Sequence, residues 1–213
     1  RSGGMDYRIL PAQRVIVHGK KDIPGVVASV PPHLSSGSSV HKNMDNIRID
    51  TGLCADELRE LVPYGSTISF DVTLRTLLNG RVTGKSLDNR ICAAALIRLA
   101  ELIKDDELSC SVTLLFSSAE EIGHRGAVTA CYAQKPDIAI AVDTSFAAAP
   151  GENPKKCGLM DKGPMIGISP TLSRDISDML ISTAKENNIS FQHEVMSGLT
   201  GTNADCFSVT GNG

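Results

Sequence analysis

The sequence has no tryptophan and few other aromatic side chains, with 3 tyrosines and 5 phenylalanines among 213 residues. Grooves that bind sugar rings usually stack them on aromatic side chains, so this composition speaks against a glycan-binding protein. The 6 cysteines are widely spaced and form no Cys-x-x-Cys pair, which argues against a cysteine metal site and predicts reduced thiols in a cytoplasmic protein. A formal net charge of −3 gives no electrostatic reason to expect a nucleic-acid partner.

Long apolar runs are also absent, and none approaches the roughly 18 residues that a membrane-spanning helix needs. No signal-peptide pattern opens the chain, so we expect no membrane partner. The length allows one sizeable domain with a smaller one beside it. The chain begins with Arg1 instead of methionine and stops in a turn-like sequence at Gly213, and we expect both ends to be cuts through a longer protein.

Short strands dominate the first part of the sequence. Residues 14–19, 24–30, 46–52 and 66–72 are β-branched or alternate between polar and apolar side chains, and glycine and proline lie between them. Residues 55–61 form a short predicted helix. Short strands at this spacing favour a small barrel or sandwich, which we assign to residues 1–83.

The pattern of apolar residues changes near Gly84. Residues 91–104 show a helical apolar period, 111–116 form a predicted strand, and residues 126–134 and 173–188 form further predicted helices. Residues 137–142 are continuously apolar, as in a central strand buried on both faces. Alternating strands and helices predict an α/β domain over residues 84–213, built on a mostly parallel sheet flanked by helices.

Four acidic residues lie at the ends of these predicted elements. Asp88 precedes the first long helix, Glu120 and Glu121 follow the strand at 111–116, and Asp143 follows the strand at 137–142. Because parallel strands end at one edge of a sheet, these side chains should converge there. Each carboxylate raises the cost of ionising the next, so the cluster favours divalent cations, which carboxylate oxygens bind well.

Each acid also has an ordinary structural interpretation. Asp88 could cap the helix that follows it, the Glu120–Glu121 pair could be solvated at a helix start, and Asp143 could be a turn residue. Taken singly, each interpretation stands on even terms with the functional one. Four acids at consistent element ends favour the functional one.

Several ordered motifs resemble the M42 family of metalloaminopeptidases. The resemblance extends over essentially the whole chain and rests on residues 84–90, 118–127, 141–143 and 198–205, together with residues 3–34 of the first domain. It implies that residues 1–83 are a small β-barrel or PDZ-like domain, inserted into the catalytic fold and used in oligomerisation. It also implies peptide substrates, two divalent metal ions, most commonly zinc or cobalt, and a homo-oligomer between a dimer and a twelve-subunit shell.

The same resemblance implies a role for each acid. Asp88 matches the aspartate that bridges two metal ions, while Glu121 and Asp143 match terminal ligands, one to each metal. Glu120 matches the general base, which takes a proton from the attacking water and returns it to the leaving amine. Residues 198–205 resemble a substrate-side loop.

The histidines depart from the family pattern, in which two further ligands are histidines, one of them in a His-x-Asp motif. No histidine here lies in such a motif, so the metal site as written has three of five protein ligands, and we expect residues 1–213 alone to be inactive and to bind metal weakly at most. We expect surface or turn roles for all 5 histidines, His18, His33, His41, His124 and His193.

The sequence therefore predicts a metal-dependent aminopeptidase in the full-length protein. One alternative is a related di-zinc deacylase or carboxypeptidase, which shares the acids but usually carries an α/β lid in place of the β domain. Another is a non-catalytic scaffold that has lost its metals. The retention of all four acids argues against loss of the site by mutation.

Overall fold

The computed structural model describes residues 6–29 and 47–210. Clustering of contacts divides the chain into two compact units, one ending at Leu87 and the other beginning at Asp88. The motif residues before Asp6, the loop predicted at 35–39, and His33 and His41 lie outside the described residues.

The first unit is built on an antiparallel sheet of four strands in the order β3-β2-β1-β4. β1 pairs with β2 on one side and with β4 on the other, and β2 also pairs with β3. The strands are β1 (Arg14–His18), β2 (Asp22–Ala28), β3 (Arg48–Asp50) and β4 (Thr67–Phe70).

Alternation along β1 explains which face of this sheet is covered. Val15 and Val17 are buried while Arg14 and His18 are exposed, as expected for a strand with one face on a core. Val15 packs with Leu10 and Val27 in the centre of that core. The described part of this unit also contains a short helix, α1 (Ala55–Leu61), and a separate antiparallel ribbon of β5 (Arg75–Thr76) and β6 (Val82–Thr83).

The second unit has an α/β fold. Its two strands, β7 and β8, pair in parallel, with Met165 opposite Gln192 and Ile168 opposite Val195. An isolated parallel bridge joins Ala147 to Gly158. Its elements are α2 (Leu87–Ile103), α3 (Arg125–Gln134), β7 (Met165–Ile168), α4 (Arg174–Glu186), β8 (Gln192–Val195) and α5 (Ala204–Phe207).

Two of the strand predictions for this unit are wrong. Residues 111–116 and 137–142 have no strand assignment, and large side chains along them are exposed, with Phe116 at 54% and Ile140 at 52%. A buried strand needs neighbouring strands for its backbone hydrogen bonds and covering layers for its side chains. Among residues 6–29 and 47–210, no strand pairs with either segment, so the apolar pattern alone does not produce one.

Helix α4 illustrates a prediction from local sequence signals that the structure confirms. The Ser173 side chain accepts a hydrogen bond from the Ile176 backbone N–H and so caps the start of the helix. Ile181 and Ala184 lie on the buried face of this helix. No helix in the described part of the chain is both long and apolar enough to cross a membrane.

Candidate active site

A cleft of about 690 Å³ in the second unit is lined by acidic side chains from separate parts of the chain. Asp88 comes from the start of α2, Glu120 and Glu121 from the turn before α3, and Asp143 from the segment after residue 142. Glu194, on β8, is a fifth carboxylate in the lining. The four acids predicted to converge therefore do so, although two of the strands expected to carry them are not formed.

A side-chain hydrogen bond joins the segments that carry Asp88 and Asp143. The Asn89 side-chain amide donates to the Val142 carbonyl over 3.1 Å. Each partner is directly adjacent in sequence to one of the two aspartates. The Asp143 carboxylate in turn accepts a hydrogen bond from the Thr144 backbone N–H at 2.8 Å.

A tight turn presents Glu120 and Glu121. The 3-10 turn Glu120–Ile122 is flanked by Ala119 at φ 59° and, beyond Gly123, by His124 at φ 53°. Left-handed backbone at a residue other than glycine costs on the order of 1–3 kcal/mol and tends to occur at functional sites.

The turn is also packed closely against the first residues of α3. The Gly126 backbone N–H donates to the Ser118 carbonyl at 3.0 Å, and a Cβ on Gly126 would lie 2.5 Å from that oxygen. Only glycine permits this close approach of two backbones. The position of the turn relative to α3 therefore depends on the absence of a side chain at Gly126.

The acids in the cleft influence one another electrostatically. Burial raises the pKa of Glu120; His124 opposes this effect, and the nearby charges of Glu121, Asp143 and Asp88 add to it. Burial likewise raises the pKa of Asp143, against a hydrogen bond from Thr144 and with the help of Asp88, Glu121 and Glu194. Mutual repulsion of this kind is what a bound cation would relieve.

The residues present fit a divalent cation in charge and donor type. Asp88, Glu121 and Asp143 supply carboxylate oxygens to one cleft, and such oxygens are suitable ligands for divalent metals. They do not amount to a finished ligand set. Across residues 6–29 and 47–210, no three His, Cys, Asp or Glu side chains are grouped so that they could hold a metal ion.

His124 has a role that the sequence analysis missed. It does lie in a turn, as predicted, but it also lines the cleft, with its Nδ1 3.2 Å from Glu120 Oε1. The same Nδ1 lies 3.2 Å from Asn203 Oδ1, and the Asn203 amide donates to Ser117 Oγ at 3.0 Å. The spacing of four residues between Glu120 and His124 was the signal in the sequence that could have indicated their contact.

The loop that carries Asn203 is held by Asp205. The carboxylate of Asp205 accepts hydrogen bonds from the backbone N–H groups of Thr200 and Gly201, each at 2.9 Å, and from Thr171 Oγ1 at 2.9 Å. Burial alone would raise the pKa of Asp205, but these hydrogen bonds outweigh it and the pKa is lowered. Thr200, Gly201 and Thr202 of this loop line the cleft.

The other described histidines lie outside the cleft. His18, on β1, contacts Asp22 Oδ1 through Nδ1 at 2.7 Å and Ser69 Oγ through Nε2 at 2.9 Å. His193, on β8, is exposed and stacks edge-to-face with Phe191. Both agree with the surface roles predicted for them.

Comparison with known proteins places this chain in a family. The sequence profile of the M42 glutamyl aminopeptidases matches residues 1–213. The chain is 30% identical over 219 residues to the lysyl aminopeptidase of Pyrococcus furiosus, covering 99% of this chain and 62% of that protein.

Two solved structures of archaeal peptidases are similar in fold. The aminopeptidase APDkam598 of Desulfurococcus kamchatkensis has a TM-score of 0.89 at 27% identity, over 99% of this chain and 61% of that one. The TET1 peptidase of Pyrococcus horikoshii has a TM-score of 0.80 at 31% identity, over 95% of this chain and 62% of that one. The chain thus spans somewhat over three fifths of the length of these proteins. It belongs to the M42 glutamyl aminopeptidase family.

Proposed function

We propose that the protein containing this chain is a metal-dependent aminopeptidase that removes N-terminal residues from peptides. The observation that carries the proposal is the convergence of Asp88, Glu120, Glu121 and Asp143 on one cleft. Family membership supports it, and so do the lysyl and glutamyl aminopeptidases among the relatives. The family assignment favours this activity over that of a di-zinc deacylase or carboxypeptidase.

The cleft acids would divide into ligands and a base. Asp88 would bridge two divalent ions, zinc or cobalt, with Glu121 a terminal ligand to one and Asp143 to the other. Such ions, when bound, acidify water and polarise a peptide carbonyl. The repulsion among these acids in the structure supports this assignment.

Glu120 would act as the general base. Its carboxylate takes a proton from the attacking water and later gives it to the nitrogen of the leaving amine, which restores the ionised form. Burial and neighbouring charges raise the pKa of Glu120. A pKa closer to neutral pH strengthens a base, since proton transfer is most efficient when the catalytic pKa lies near the working pH.

The test is a pair of neighbouring substitutions in the full-length protein. Glu120→Gln should keep metal content and fold but lower kcat on an aminoacyl-nitroanilide by on the order of 10²–10⁴-fold. Glu121→Gln should instead lower the metal content measured by elemental analysis. Equal metal content with equal activity loss in both variants would show that the roles are assigned wrongly. In the same assay, residues 1–213 alone should show no turnover. If the protein were a non-catalytic scaffold, the full-length protein would show no turnover either.

The assembly and location of the protein are part of the same proposal. The solved TET1 peptidase of P. horikoshii assembles into a tetrahedron or a large octahedral shell, which supports a homo-oligomer here, between a dimer and a dodecamer. We assign residues 1–83 to an inserted oligomerisation domain of the small barrel or PDZ-like type, and residues 84–213 to part of a catalytic domain with a larger parallel sheet. The 6 free cysteines support a cytoplasmic location.

A further inference from the structure

His124 lies between the proposed base and the loop at residues 198–205. Its Nδ1 is 3.2 Å from Glu120 Oε1 and 3.2 Å from Asn203 Oδ1. The His124 and Glu120 side chains are 24% and 32% exposed, so both are partly shielded from water. Asn203 is fixed in turn by the hydrogen bond from its amide to Ser117 Oγ.

These contacts determine where the imidazole carries a hydrogen. A carboxylate oxygen and an amide oxygen both accept hydrogen bonds and cannot donate them. The amide oxygen of Asn203 is the atom facing His124, because the amide nitrogen is used on Ser117. With the Asn203 oxygen as acceptor, Nδ1 of His124 carries the hydrogen of this hydrogen bond, and Glu120 Oε1 lies 3.2 Å from the same nitrogen as an ion-pair contact.

The side chain of His124 does not cap the helix that it precedes. His124 is the N-cap residue of α3, yet its side chain makes no capping hydrogen bond to the helix. Its backbone is in the left-handed region, where histidine has no advantage over glycine. The contacts of its ring with Glu120 and Asn203 are what remain to account for a histidine here.

We propose that His124, held by Asn203, is a positioning residue that fixes the orientation of the Glu120 carboxylate. The inference rests on the proposed function, because it assigns a task to a neighbour of the proposed base. An imidazole nitrogen held 3.2 Å from Oε1 restricts rotation of the carboxylate about its last bond, so the group meets a reacting water in one orientation. Misplacement of a catalytic group by about 1 Å can cost roughly 10²-fold in rate.

The substitutions that test this are made in the full-length, metal-loaded protein. His124→Leu removes the donor, and we expect kcat to fall by roughly 10- to 100-fold while KM changes by less than about twofold. His124→Gln retains an N–H donor and should recover part of the loss. Asn203→Leu should lower kcat in the same direction, and the double variant should lose no more than the worse single one, because the two residues act as a unit.

A matched control exists in the first unit. His18 also lies between a carboxylate and a further oxygen, so His18→Leu removes an equivalent set of contacts outside the cleft. It should leave kcat and KM unchanged. Thermal unfolding and metal content, measured for every variant, separate a positioning role from misfolding and from metal ligation.

A second readout does not involve turnover. In the metal-free protein, the imidazole ¹⁵N spectrum should show a protonated Nδ1 for His124, with the signal assigned by its absence in His124→Leu. An unprotonated Nδ1, a His124→Leu variant with full kcat, or a loss of kcat that tracks loss of metal would each overturn the inference. A wild-type protein without aminopeptidase activity on any substrate would instead overturn the proposed function.

Discussion

Two histidines in this protein each place Nδ1 close to an acidic side chain, but they do so in different surroundings. Each lies four residues from an acid that its Nδ1 contacts, Asp22 for His18 and Glu120 for His124. The His18 contact is the shorter, at 2.7 Å against 3.2 Å. The Asp22 side chain, however, is 72% exposed, whereas that of Glu120 is 32% exposed.

The comparison shows that surroundings, and not distance, give such a pair its significance. Exposed ion pairs contribute about 0–1 kcal/mol, because water screens both charges and competes for both groups. Glu120 is surrounded by the charges of Glu121, Asp143 and Asp88, so a histidine beside its carboxylate lies where orientation and charge matter. The longer contact is the one to which we assign a function.

The largest expected effects come from two glycines, one close to each of these histidines. A Cβ on Gly126 would lie 2.5 Å from the Ser118 carbonyl oxygen, and a Cβ on Gly19 would lie 2.2 Å from that of Leu61. Overpacking of this kind costs about 1–3 kcal/mol, so both alanine variants should unfold at lower denaturant concentration. Only Gly126→Ala should also lower kcat, because it displaces the turn that carries Glu120.

Gly198→Ala is the control for these two variants. A Cβ on Gly198 would have no neighbouring atom within 4 Å, so this variant should match the wild type in stability. If Gly19→Ala lost as much kcat as Gly126→Ala, the distinction between the surroundings of His18 and those of His124 would be lost.

An intermediate effect is expected at Asp205, which supports the cleft histidine indirectly through the loop of Asn203. Asp205→Asn should lower the free energy of unfolding by about 1 kcal/mol at neutral pH, because charge-assisted hydrogen bonds from Thr200 and Gly201 are weakened. The folded pKa of Asp205 lies below its ordinary value near 3.8. Its contribution is therefore complete above that value and is lost as the pH falls through the folded pKa.

Denaturant unfolding of the wild type and of Asp205→Asn over a range of acidic pH measures this dependence. The difference between the two proteins should shrink on acidification. A difference that grows as the pH falls would mean that the carboxylate is not stabilised in its ionised form.

The smallest effect is expected at the exposed histidine pair. Asp22→Asn should change the free energy of unfolding by less than about 1 kcal/mol, because its partner contact is largely in water. It should leave kcat unchanged, in contrast to Glu120→Gln. If Asp22→Asn were destabilised by several kcal/mol on chemical denaturation, the surroundings of Asp22 and Glu120 would be more alike than their exposure indicates.

Local signals in the sequence predicted much of the fold. α1 spans the residues expected of it, α4 lies within the helix predicted at residues 173–188, and β1 to β4 lie within about two residues of the expected strands. Those features depend on neighbours along the chain: side-chain alternation, capping oxygens and turn residues. The segment 137–142 failed because a central strand is defined by partners on either side, which its own residues do not specify.

The candidate site, like the fold, was predictable only in part. Asp88, Glu120, Glu121 and Asp143 line one cleft as predicted, although the strands that were expected to bring them together are not formed. The contact of His124 with Asn203 joins residues 79 positions apart, and nothing in the sequence near either residue indicates it. Sequence patterns thus predicted which acids line the cleft, while the residues that contact them became visible only in three dimensions.

The Ser117–Asn203 hydrogen bond spans 86 positions, and this separation has a consequence for biosynthesis. Glu120 and His124 leave the ribosome almost together, whereas Asn203 follows several seconds later at about 5–20 residues per second. Closing so long a loop carries an entropic cost that neighbouring contacts do not. The nascent chain would therefore hold its acids before it can orient them, and the arrangement of the cleft would be completed late, after residues 198–205 have docked.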